Sequence, residues 1–253
     1  NKFEFRMVAS SMSIAMANTV LNTIVADVLD RMADELEQAE DFDLAVHDLI
    51  KKSLTDHNRI VFNGNGYSEV WVKEAERRGL PNIKNMVDAI PALTTKKAID
   101  LFGKHHVFTP VELHSRAEVL YESYSKTINI EAKTMISMAS VQYIPAVINY
   151  TRKLADSINA VKAAAPDIDV SVQTELLKET SKLLYEAEAA RKKLNAVVSE
   201  ASSMGEGADQ AVFFRDKVIP AMAKLRAPID SLELIVDKEL WPVPTYGDLL
   251  FEV

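Results

Sequence analysis

Apolar residues recur along most of this chain at intervals of three and four, the spacing that places them on one face of a helix. Between Ala15 and Gln38 the stripe is Val20, Ile24, Val28, Met32 and Leu36, which predicts an amphipathic helix ending in the acidic run Glu37 to Asp43. A second helix is predicted from Asp43 to Thr55. In the following segment, RIVFNGNGYSEVWVKEAERRGLPN, Ile60 to Phe62 reads as extended, Asn63 to Gly66 as a turn, and Ser68 as the N-cap of a short helix. Gly79 and Pro81 close that helix. Thr94 or Thr95 opens another, which runs through Phe102 and is expected to stop at Gly103.

The strongest start signal is TPVE, Thr109 to Glu112, with a capping threonine, proline at the first helical position and glutamate at the third. Its stripe runs through Leu113, Ala117, Leu120, Tyr124, Ile128, Met135 and Met138, then beyond Pro145 to Val161. The resulting helix reaches Ala164, ~80 Å at 1.5 Å per residue. Pro145 should kink it, because the ring opposes the carbonyl of Val141. After an APDID turn, Leu176, Leu183, Ala187, Ala190, Leu194, Val197 and Ala201 form a heptad-like seam. Further helices are predicted from Ala208 to Leu225, interrupted near Pro220, and from Pro228 to Leu240. The tail WPVPTYGDLLF is expected to run extended and dock through Trp241, Tyr246, Leu250 and Phe251. Short turns and complementary seams define the fold class as mainly α, an elongated antiparallel bundle with long kinked helices.

One segment departs from this period. NKFEFRMVAS alternates as a strand, with Phe3, Phe5 and Met7 on one face and Lys2, Glu4 and Arg6 on the other. Taken alone it is an amphipathic edge strand with its polar face in water. Apart from Ile60 to Phe62 the chain offers it no partner, and a strand with unpaired backbone groups is unstable by itself.

Composition narrows what such a chain can do. Its 253 residues are 48% hydrophobic, enough to bury a core. The net charge of −8 disfavours binding to nucleic acid or to an anionic membrane, both of which need a basic face. No apolar run approaches the roughly 18 residues that span a bilayer, and the absence of cysteine is compatible with a cytoplasmic setting. His47, His57, His105, His106 and His114 show no metal-ligand spacing, and the adjacent pair reads as a solvated helix connection. NGNG lacks the lysine of a phosphate loop and the third glycine of a dinucleotide turn. TMISMAS reads as core filling.

Several segments nevertheless carry a resemblance. NKFEFRMVASSMSIAMANTVLNTIVADVL looks like the last strand and following helix of a glutamine synthetase catalytic domain, where a Glu-x-Arg strand precedes a helix rich in Ala, Asn and Leu. RIVFNGNGYSEVWVKEAERRGLPN, TINIEAKTMISMA with PAVINY, and WPVPTYGDLLF resemble, in the same order, the C-terminal region of the type III, long-subunit bacterial class. Ala9 departs from the glycine of that family's FRMxGSS pattern.

The resemblance implies a ligase that phosphorylates the side chain of glutamate with ATP and then lets ammonia displace phosphate. On this basis Glu4 would ligate Mg²⁺ or Mn²⁺, a hard oxygen on a hard cation. Arg6, the catalytic candidate, would meet the phosphoryl group or the glutamate carboxylate with a permanently charged planar fork. The nucleotide-binding residues have no counterpart here. Residues 1–58 would be the end of the catalytic domain, its strand left over from an α/β body. Residues 59–108 would connect to a long-helix bundle with an extended tail over 109–253. The chain, which begins at Asn1 rather than methionine, is expected to be an inactive C-terminal fragment of a cytoplasmic homo-oligomer, with no cofactor bound to the fragment itself. The competing expectation is a stand-alone helical interaction or oligomerisation module built on the Leu176 to Ala201 seam.

Overall fold

The computed structural model describes residues 12–244 and 246–251. The strand expected over residues 2–7 therefore lies outside the described residues, and within them there is no strand. The fold is mainly α, in two compact units, one up to Ala117 and the other from Glu118.

The first unit contains α1 (Ala15–Glu37), α2 (Phe42–Asp56), α3 (Glu69–Arg77), α4 (Met86–Ala89), α5 (Lys96–Lys104) and the start of α6 (Pro110–Met138). Its helix starts are set by side chains that satisfy orphan backbone donors. Asp41 accepts from Leu44 N at 3.0 Å, Asn85 from Asp88 N at 3.0 Å and Thr95 from Ala98 N at 3.3 Å. At the start of α6 the capping box is complete: Thr109 Oγ1 accepts from Glu112 N at 3.3 Å while Glu112 accepts from Thr109 N at 2.7 Å. The bond from Thr109 N, with a second from the Thr109 hydroxyl to the same carboxylate at 2.9 Å, holds the Glu112 carboxyl below the usual carboxylate range.

Local corrections fall here. Ile60 belongs to a 3₁₀ turn, Asn58–Ile60, and Val61 is the first extended residue after it. Gly103 does not stop α5, which continues to Lys104. The chain reverses instead at His106, whose φ of 52° is left-handed. His106 N bonds to Gly103 O and Val107 N to Phe102 O, the paired bonds of a Schellman ending. At the end of α3 Gly79, with φ 69°, does the same job as expected: its N bonds to Glu76 O and Leu80 N to Ala75 O. The fully buried apolar residues of this unit lie late, at Val87, Ile90, Phe102, Leu113 and Ala117; in α1 only Thr23 is buried, and in α2 none.

The second unit is organised on α8 (Ser171–Ser203), which packs against α7 (Ile144–Ala164) on one side and α10 (Ile219–Glu233) on the other. The predicted seam is the inner face: Ala187, Leu194, Val197 and Ala201 are buried against Val147, Leu154, Phe214, Val218, Leu225 and Leu232. Burying each large side chain contributes ~1.5–3 kcal/mol. Thr180 completes the seam between Leu176 and Leu183; it is fully buried and its hydroxyl has no partner.

Both helix-disrupting prolines are met by a widened turn. A π-helical segment, Ala139–Tyr143, precedes Ile144-Pro145-Ala146, and another, Phe214–Val218, follows α9 (Ala208–Phe213) and precedes Ile219-Pro220-Ala221. In an α-helix each proline ring would press on the carbonyl four residues back, at Val141 and Asp216; the looser turn relieves that conflict. Pro228 was expected to start a new helix but lies inside α10, held there by Leu225, Ile229 and Leu232 against α8. The helix ends at Glu233, not Leu240, and the turn that follows is tied to α7 by an ion pair between Lys153 and Asp237. The tail is not extended throughout: prolines 242 and 244 keep that stretch irregular, but α11 (Tyr246–Phe251) forms once they are passed. Trp241 is buried, 5.1 Å from the Tyr143 ring, whereas Leu250 is exposed. The side chains of Tyr246 and Phe251 lie outside the described residues.

Candidate functional site

Glu4 and Arg6 lie outside the described residues. The structure does place α1, the helix that follows them in sequence, and shows what holds it. Asp27, midway along α1, takes two hydrogen bonds from the end of α5: Lys104 Nζ at 3.0 Å and His105 Nε2 at 3.1 Å. A carboxylate only accepts, so Nε2 carries the ring proton. Lys104 also reaches Asp30 at 2.8 Å, and Arg31 stands 3.3 Å from Asp27. The bonds from Lys104 and His105 hold the Asp27 carboxyl down to about 2. Lys104 is raised in turn by Asp30 and Asp27, and a cation in the last turn of α5 also suits the negative end of that helix.

A second network fixes the connection between α2 and α3. Glu74 accepts a forked pair of bonds from Arg77, both 2.7 Å, and a third from Arg78 at 2.5 Å. Arg78 then donates to the Val61 carbonyl at 2.8 Å and the Arg59 carbonyl at 3.2 Å. Hydrogen bonds from Arg77 and then Arg78 hold the Glu74 carboxyl down to about 2. Phe62 stacks on Trp71 with centroids 4.2 Å apart, and Gly64 passes so close that a Cβ there would lie 2.6 Å from the Phe62 ring.

Neither network has the character of a catalytic centre. Each carboxylate is consumed by cations, and among the described residues no group of three or more His, Cys, Asp or Glu side chains could hold a metal ion. None of their helices is long and apolar enough to cross a membrane. The networks instead position the backbone that follows the Glu4 and Arg6 segment. Sequence reasoning missed the pairing of Asp27 with Lys104 and His105, because the partners are far apart in the chain and no local motif joins them. His105, expected as part of a solvated connection, is largely covered and bonded.

Residues 45–162 match the family model described as the glutamine synthetase C-terminal domain. Over nearly its whole length the chain is similar to curated glutamine synthetases. It is 36% identical to the type-3 glutamine synthetase of Dictyostelium discoideum, with 99% of this chain and 35% of the relative covered. With the glutamine synthetase of Butyrivibrio fibrisolvens it is 33% identical, covering 91% and 32%, and with that of Bacteroides fragilis (strain YCH46) 30%, covering 99% and 36%. The chain belongs to the glutamine synthetase family, as its C-terminal region. It spans about a third of the length of the curated relatives it matches.

Proposed function

We propose that this chain is the C-terminal portion of a cytoplasmic, homo-oligomeric ligase that makes glutamine from glutamate and ammonia through a γ-glutamyl phosphate, at the expense of ATP. The observation that carries the reading is the continuous match of nearly the whole chain to about a third of each relative. Glu4 is the residue offered to a divalent cation, Mg²⁺ or Mn²⁺, which when bound neutralises charge on the transferred phosphoryl group. A carboxylate oxygen suits such an ion, but Glu4 is the only acidic residue in the first eleven. One donor does not make a site for an ion that takes six ligands, so the chain contributes only part of it. Arg6, two residues on in the alternating pattern, is the residue offered to charge developing on the phosphoryl group or the glutamate carboxylate. Residues 1–58 close the catalytic body, 59–108 connect, and 109–253 form the appended bundle.

On this reading the isolated chain makes no glutamine. An assay with ATP, glutamate, ammonia and Mg²⁺ should give turnover with the full-length polypeptide that carries this chain and none above blank with the chain alone; turnover by the chain alone would sink the proposal. The alternative, a stand-alone module using the Leu176 to Ala201 seam, loses its surface, because α7 and α10 already fill that seam.

A further inference from the structure

The second unit holds a cleft of about 240 Å³ where the π-helical turn Ala139–Tyr143 faces α10. Met135, Met138 and the Tyr143 ring form one apolar wall, and Leu225 and Ile229 the other. Ala139 and Tyr143, the first and last residues of the widened turn, both line it. Ala139 and Leu225 are each 1% exposed and belong to the packed core, which anchors the walls. Tyr143 is backed by the buried Trp241, 5.1 Å away. An aliphatic cavity of about 150 Å³ takes up benzene, so this cleft has room for a two-ring system. Methionine sulfurs favour the edges of aromatic rings. The rim is charged and unbalanced. Arg226, Asp230 and Glu233 follow one another along one face of α10, at steps of four and three residues. Arg226 and Asp230 neutralise each other through a 3.0 Å bond from Nε to Oδ2. Glu233, half-buried one turn further on, makes no hydrogen bond or ion pair with any described residue. Burial, and after it the charges of Glu233 and Asp230, push the Tyr143 hydroxyl up, which places both carboxylates near the ring that walls the cleft.

We propose that this cleft binds a small aromatic amine. The ring lies between the two methionines and Ile229, where it is shielded from water. The ammonium sits at the rim and donates to Glu233 and to Asp230 Oδ1, the oxygen that Arg226 Nε leaves free. The face of Tyr143 adds a cation–π contact. A half-buried carboxylate with no cation of its own is costly, and an incoming ammonium removes that cost. The same ring carrying a carboxylate would bring a third negative charge to the rim. A docked helix from another protein is a poor fit, because the lining spans only about two turns of helix on either side. Occupancy of this cleft is independent of the ligase chemistry, since none of its residues belongs to the Glu4 and Arg6 segment.

Tryptamine is the probe. Titration calorimetry should give a dissociation constant on the order of 0.1 mM, within reach of a ligand of about a dozen non-hydrogen atoms. The value should be the same for the chain and for the full-length polypeptide that carries it. In the chain labelled at its methionine methyl groups, the signals of Met135 and Met138 should move under the ring current while those of Met86 and Met204 stay in place. Indole-3-propionate should bind at least ~10-fold more weakly than tryptamine, because its charge is the wrong sign for the rim. Glu233→Gln should cut the advantage of tryptamine over the uncharged 3-ethylindole at least ~5-fold, as expected from losing one charge-assisted bond. If that variant does not fold, Asp230→Asn carries the same expectation. Unmoved Met135 and Met138 signals at millimolar tryptamine would overturn the proposal, as would equal affinity for the amine, the acid and the uncharged compound. Loss of binding in the full-length protein would overturn it too, by showing the cleft filled by the rest of the polypeptide. So would Met135 and Met138 signals that move when the chain alone is diluted, since the cleft would then hold a second copy.

Discussion

His105 Nε2 lies 3.1 Å from the carboxylate of Asp27, a contact that joins α1 to the end of α5. Lys104 shares that carboxylate, and together they hold its pKa at about 2 against an ordinary 3.8. A carboxyl depressed in the folded state contributes stability that is complete above the unfolded value and is lost as pH falls through the folded one. The urea midpoint of the wild type should therefore exceed that of Asp27→Asn at about pH 5, and the gap should close as pH falls from about 4 to about 2. Comparing the two proteins cancels the parallel contribution of Glu74. A gap of the same size at both ends of that range would show that the clasp carries no charge-dependent stability.

Thr180 stands in the seam of α8 where a valine would fit, fully buried and with an unpartnered hydroxyl. Thr180→Val should raise the free energy of unfolding by ~1 kcal/mol, since it removes a desolvated polar atom at nearly constant volume. Leu194→Ala in the same seam should lower it by ~2–5 kcal/mol. Chemical denaturation monitored by circular dichroism checks both signs at once.

The seam shows what the sequence makes legible and what it conceals. Leu194 and Val197 were identifiable because their spacing is local and the helix turns local spacing into a shared face. Thr180 was missed because its side chain is polar, although its position falls on the same repeat. Helix starts at Ser68 and Thr109 were legible for the same reason, as cap and capped donor are three residues apart. The end of α5 was not. Glycine is the usual left-handed residue, and Gly103 drew the boundary to itself, while the hydrogen-bonded ending formed around His106. Pro228 was misplaced because contacts with α8, distant in sequence, outweigh a local breaker. The clasp between Asp27 and α5 had no local signature at all.

Gly79 and His106, two of the described residues with positive φ, lead to opposite predictions. Gly79→Ala should destabilise by about 1 kcal/mol, since φ of 69° suits glycine. His106→Gly should be neutral or stabilise by up to about 1 kcal/mol at its own positive φ. Thermal melting of the two variants beside wild type reads the difference. A loss at His106→Gly as large as that at Gly79→Ala would mean that the imidazole of His106 makes a contribution of its own.

In the full-length polypeptide, Glu4→Ala and Arg6→Ala should each reduce kcat for glutamine formation by ~100-fold or more, the usual effect of removing a group that meets developing charge. Arg6→Lys should recover only part of that loss, because an ammonium cannot reproduce a planar fork. For Glu4→Ala the Mg²⁺ concentration needed for half-maximal rate should rise. Variants that keep wild-type rates and metal dependence would remove both residues from the site.

The π-helical turns before Pro145 and Pro220 have a consequence for how this bundle tolerates changes in length. Each turn holds one residue more than an α-helical turn would, and each is followed by the same Ile-Pro-Ala triplet on a helix packed against α8. Upstream and downstream of each turn, the helix shows its neighbours faces rotated by one residue relative to an unbroken α-helix. Removing a residue from either turn would bring back the regular helix, but it would also swing everything beyond it out of phase with the seam. The surplus residue works as a vernier: it sets the phase between the two ends of a long shaft, and it must be kept or lost together with the proline that follows.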